Sequence, residues 1–173
     1  MKKMFLVSLF LGIAISIFAQ EFEGPANYKL ETKEDYVAQE KNVLAAIDWL
    51  STNSLMNLDN VKKWDSVYSF LWKWVEGVPY LSVGFGKTAK PTFDKNTGIA
   101  LMYIGGFVKY ALTTRDFENK REQNIAGIEL IVNYYSTFRK ELKKNSTLEK
   151  YVKLQAEGKL REYILKNEEE KYQ

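Results

Sequence analysis

Neither cysteine nor histidine occurs anywhere in the 173 residues. Their absence removes the usual zinc, copper and haem ligands, the Ser-His-Asp relay and the thiolate nucleophile. The sequence therefore implies no metal and no cofactor. It also excludes a disulfide framework and the acylated cysteine of a lipoprotein. Any chemistry falls to Asp, Glu, Tyr, Lys and Ser. No Ser-x-x-Lys pair exists, and a nucleophile elbow at Ser82 would need glycines at 80 and 84, of which only Gly84 is present. A phosphate-binding loop is hinted at by Gly86-Lys87-Thr88, but that loop needs a further glycine five residues before Gly86 so that the backbone can curl around phosphate oxygens. Leu81 stands there instead. An excess of positive charge is missing too. Without Lys2 and Lys3 the 25 basic residues fall to 23 against 22 acidic ones, a net of +1, which gives no electrostatic footprint for nucleic acid.

The first residues explain why those two lysines are set aside. Met1-Lys2-Lys3 precedes an uncharged apolar run over 4–18, and Ala19 leads into polar Gln20-Glu21. A basic start, a short apolar run and a small-residue exit make a secretory signal peptide over 1–19. The run is shorter than the ~20 residues of a membrane-spanning helix, so the mature chain is expected to have no transmembrane anchor and to work in the periplasm or outside the cell. The ~150 residues that remain suit one domain.

Residues 20–32 read as an extended arm and 33–167 as a helical domain, with a charged tail fraying over 168–173. Thr32 and Asp35 form a capping box for a first helix carrying Tyr36, Val43, Ile47 and Leu50 on one face, with Val37 and Leu44 beside it. A second helix follows Asp59. Its apolar stripe is read as Val61, Trp64, Tyr68, Leu71 and Val75, which leaves Trp72 off the core face; Gly77 and Pro79 end it. Over 78–96 the periodicity fails, and only 80–83 resembles a short strand. A loop this long inside a compact domain is functional or hides local structure. The most apolar part of the mature chain, 99–112, is a third, central helix. Gly105 and Gly106 at its middle cost about 1 kcal/mol each relative to Ala, which makes sense where another backbone packs closely. Asp116 is expected to cap a fourth helix running to about 144, with Ile125, Ile128, Val132, Tyr135 and Leu142 inward. Ser146 and Glu149 form a second capping box for a short helix broken at Gly158, and Leu160, Tyr163 and Ile164 begin another. The expected fold is all-α: a single compact domain of five to six helices with one long irregular loop rich in aromatic residues and glycine.

In its third-helix segment G-G-F-V-K-Y-A-L, the G-V-P turn before it, A-G-I in helix four and the late E-G-K-L-R-E-Y-I, the chain resembles small exported helical proteins of Bacteroidetes-type bacteria. The resemblance implies export and an all-α fold, and carries over no site residue.

Function is read from the aromatic load around the long loop. Trp72, Trp74, Tyr80, Phe85 and Phe93 are more than one amphipathic stripe can bury, and exposed aromatic surface marks interaction sites. The first reading is thus a binding or accessory protein whose partner is an envelope protein or a glycan. The alternative is an enzyme acting on glycan or cell wall through two carboxylates, with Glu76 and Asp94 flanking the aromatic region.

Overall fold

The computed structural model describes residues 22–94 and 96–168. The signal-peptide reading over 1–19 and the tail beyond 168 lie outside the described residues. Among the described residues six α-helices follow in order: α1 Lys33–Thr52, α2 Val61–Gly77, α3 Ala100–Thr114, α4 Lys120–Thr137, α5 Ser146–Ala156 and α6 Leu160–Glu168. Single 3-10 turns occupy Leu58–Asn60, Lys90–Thr92 and Thr97–Ile99. There is no strand among the described residues; Tyr80 lies in a turn and 81–83 are irregular. No helix among them is long and apolar enough to cross a membrane.

The capping box of α1 forms as expected, with Thr32 Oγ1 accepting from the Asp35 N–H and the Asp35 carboxylate accepting from the Thr32 N–H (2.9 Å). Tyr36, Val43, Ile47 and Leu50 are buried one above the other, and Val37 faces solvent. On α2 the expected core stripe is corrected. The buried residues are Val67, Phe70, Leu71 and Trp74, whereas Val61 is exposed and Trp64, Tyr68 and Val75 are only half-buried. The two stripes share the helical period and differ in phase by roughly 100° around the axis. Both are apolar, so periodicity could not choose between them; packing against α1 does, where Trp74 meets Tyr36.

Helix α3 forms the centre, with 101–108 buried without a break, and packs along α4. Glycine sets that approach. A Cβ on Gly106 would lie 2.3 Å from the Ala126 carbonyl oxygen and 2.8 Å from Gly127 Cα, and one on Gly127 would lie 2.8 Å from the Tyr103 carbonyl oxygen. Gly105 is less confined, its nearest neighbour being Ile47 Cγ2 at 3.2 Å.

The ends of α4 and α5 differ from expectation. Asn119, not Asp116, caps α4 by accepting from the Glu122 N–H; Asp116 accepts from the Asn119 side chain. The helix stops at Thr137 instead of near 144. In the segment beyond it the Asn96 side chain donates to the Lys143 carbonyl (2.8 Å) and accepts from the Lys143 N–H (3.1 Å), holding the chain that leads into α5. Asn145 rather than Ser146 caps α5, accepting from Thr147 and Leu148 N–H, and its buried amide donates to the carbonyls of Pro91, Thr92 and Asp94. Glu149 is drawn off to Arg139 and the Tyr135 hydroxyl. Gly158, at φ +71°, turns the chain from α5 into α6. Glu168, expected in the frayed tail, is buried at the end of α6.

Candidate functional site

The end of α2, the irregular segment 78–85, Ile104 of α3 and the entry to α4 line an open groove of about 710 Å³. Trp72 reaches it from α2 because it lies one turn beyond Tyr68 and two beyond Trp64 on the outward stripe. The three rings stack in a ladder: Trp64 on Tyr68 at 5.5 Å, Tyr68 on Trp72 at 6.3 Å with planes 8° apart. Trp72 remains 41% exposed at the end of the ladder. Phe85, also 41% exposed, enters from the loop. It is backed by Tyr103 at 5.4 Å and by the edge of Phe93 at 5.3 Å. Both groove rings therefore rest on other rings that limit their freedom, which reduces the entropy lost when a ligand covers them.

Tyr80 lines the groove in a fixed position. Its hydroxyl donates to Glu40 (3.0 Å), and its ring meets Trp74 and Phe117 edge-on. Burial, and then the neighbouring Glu40 carboxylate, push the phenol well above its ordinary pKa. Glu40 is buried on α1 and also pairs with Arg115 (2.6 Å), which sits in the left-handed region at φ 60° where α3 ends. On the α4 side the Lys120 ammonium donates to the Ser82 and Phe117 carbonyls (3.0 and 3.1 Å), tying the loop to the helix entry, and lies over the Phe107 ring.

Of the five aromatic residues singled out in the sequence, Trp72, Tyr80 and Phe85 meet at the groove. Trp74 does not. It is fully buried, with its indole N–H donating to the Tyr36 carbonyl (3.0 Å), because it falls on the core phase of α2. Phe93 stands behind Phe85 as support and does not line the groove. Glu76 is in the groove wall, but Asp94 is not, since the backbone around Asp94 is gathered toward Asn145 instead. The expected Glu76–Asp94 pair is thus not assembled there. Glu118 takes the second acidic place, and Glu118, Lys120 and Ile104 carry no signal in the sequence that would have joined them to Trp72. Glu76 and Glu118 are exposed and take no hydrogen bond or ion pair from any described side chain. No three acidic side chains gather into a cation site among the described residues.

Comparison with protein-family models, with curated proteins and with solved structures finds no match to this chain. The functional reading therefore rests on the groove's own chemistry.

Proposed function

We propose that this chain is an exported binding protein that holds a saccharide ligand in the groove between Trp72 and Phe85. The observation that carries the reading is the pair of half-exposed, ring-backed aromatic faces on two walls of one groove. Sugar rings present flat C–H faces that stack on aromatic rings, and their hydroxyls donate to carboxylates. Glu76 and Glu118 are acceptors of that kind, exposed in the groove wall and unpaired with any described side chain. The signal-like residues 1–19 and the resemblance to small exported helical proteins belong to the same reading, and glycan is abundant where an exported protein works. No step of bond cleavage is assigned to the groove.

Titration of the purified protein with N-acetylchitohexaose, cellohexaose and maltohexaose, followed by tryptophan fluorescence, tests the ligand class. At least one sugar is expected to shift the emission saturably. Trp72→Ala and Phe85→Ala are each expected to weaken that binding at least about tenfold, in the range of an aromatic hot spot, with the folded state retained. No saturable response to any of the three overturns the saccharide reading and leaves a protein segment as the ligand class to test.

Export has its own check. Intact-mass measurement of the protein recovered outside the cytoplasm is expected to give a chain starting at Gln20; a detergent-extracted species that still contains 4–18 would overturn cleavage after Ala19.

A further inference from the structure

The Gly86-Lys87-Thr88 turn is not the phosphate loop that its residues hint at, yet it does hold an anion. Its donors converge on the Glu168 carboxylate from 80 residues away. The Lys87 N–H donates to Oε2 (3.1 Å), and the Thr88 N–H and hydroxyl both donate to Oε1 (2.6 and 2.5 Å). Thr88 and Glu168 are almost completely buried, at 4% and 3% exposure. Such charge-assisted bonds are the strong class of hydrogen bond, and successive backbone N–H groups aimed at one point form an anion-binding concavity. Gly86 makes room for it. A Cβ there would lie 2.5 Å from Asn124 Oδ1 and 2.6 Å from Glu168 Oε1.

We propose that 86–88 is an anion-binding loop whose resident anion is the chain's own Glu168, and that α6 is thereby a latch that positions Phe85 at the groove. The connection to the groove is short. Phe85 is the residue before Gly86, and Phe85, Lys120 and Glu168 all border a smaller cavity of about 240 Å³ beside the groove. Tyr103, whose ring supports Phe85, reaches Asn124 Oδ1 (2.8 Å) and the Gly84 carbonyl (2.7 Å), so the turn is held from the α3 side as well. The Tyr151 hydroxyl of α5 donates to the Thr88 carbonyl (3.0 Å). Helix α6 has nine residues, too few to persist by itself in water. Its own apolar anchors are Leu160 and Ile164, so the Glu168 bonds are a principal tie at its far end. The positioning of Phe85 for ligand rests on the binding function proposed above; the anion site does not.

Hydrogen exchange and melting of Glu168→Ala and Glu168→Gln test the latch without any sugar. In the wild-type protein the Lys87 and Thr88 amides are expected to be protected. Glu168→Ala is expected to lose that protection at least tenfold and to melt lower. Sodium acetate is expected to restore both properties in this variant, relative to equal sodium chloride, and to leave the wild type unchanged. Glu168→Gln, which keeps an acceptor without the charge, is expected to fall between the two and serves alone if the alanine variant does not fold. Unchanged exchange at 87 and 88 in the glutamine or alanine variant overturns the anion loop, as does an acetate effect of equal size in the wild type. For the groove, the sugar bound best by wild type is titrated against the variant. Equal affinity despite released amides overturns the positioning of Phe85. Failure of the wild type to bind any sugar strikes the saccharide reading alone, since the exchange result stands by itself.

Discussion

Gly106→Ala is expected to destabilise the protein by about 2–3 kcal/mol, although alanine is the better helix former. Two effects oppose each other. Replacing a mid-helix glycine with alanine gains about 1 kcal/mol of helix propensity. Against this, the new methyl would sit 2.3 Å from the Ala126 carbonyl oxygen and 2.8 Å from Gly127 Cα. Both are backbone atoms of α4 and cannot rotate away. The helices must move apart, and the interface that includes Tyr103 over Gly127 loosens along its length. Overpacking costs of ~1–3 kcal/mol are typical where a core has some give, and a backbone-to-backbone contact belongs at or above the top of that range. At ~2–4 °C per kcal/mol for a chain of this size, thermal melting is expected about 5–10 °C lower. Gly105→Ala is the internal control. Its methyl would meet side-chain atoms alone, Ile47 Cγ2 at 3.2 Å and Leu130 Cδ2 at 3.5 Å, with no backbone of another helix among its nearest neighbours, so its melting temperature is expected within about 3 °C of wild type given the compensating propensity gain. Gly106→Ala melting at or above wild type would show that α3 and α4 do not pack backbone to backbone.

Trp74→Ala is expected to have the largest effect of any single truncation near the groove, about 3–5 kcal/mol. Trp74 is 0% exposed, packs by its ring near Tyr36 and Tyr80, and satisfies its N–H on the Tyr36 carbonyl. Its removal leaves a cavity between α1 and α2 and takes away the edge contact that helps fix Tyr80. Trp72→Ala, two residues earlier, removes a ring that is 41% exposed and stacked only on Tyr68 among aromatic neighbours; its cost is expected to stay within the ~0.5–1.5 kcal/mol of a ring pair. Denaturant unfolding of the two variants checks the contrast. Equal losses would mean that Trp72 is a core residue, and the groove would lose one of its two faces.

These two tryptophans also mark how far the sequence could be read. The all-α class, the capping box at Thr32 and Asp35, and the close backbone packing at Gly106 were legible, because each rests on neighbours within a turn or two of helix or on composition. The aromatic loop was legible as a region of interest. Which of its rings face a ligand was not. On α2 the stripes through Val67 and Trp74 and through Trp64, Tyr68 and Trp72 have the same period, and contact with α1 determines which is inside. Asn96 holds the chain at Lys143 from 47 positions away, and the cap of α5 doubles as a clamp on 91–94; local capping rules saw only the nearer Ser146 and Glu149. Glu118 and Lys120 join Trp72 from more than 40 positions along the chain. Glu168 reaches Thr88 from 80. Sequence by itself determined the helices and the absence of histidine and cysteine chemistry, since hydrophobic period and composition are local properties. The tertiary structure alone decided the phase of α2, the walls of the groove and the partner of the Gly-Lys-Thr turn, because those depend on contacts between distant segments whose free energy is gained only once the whole chain has packed.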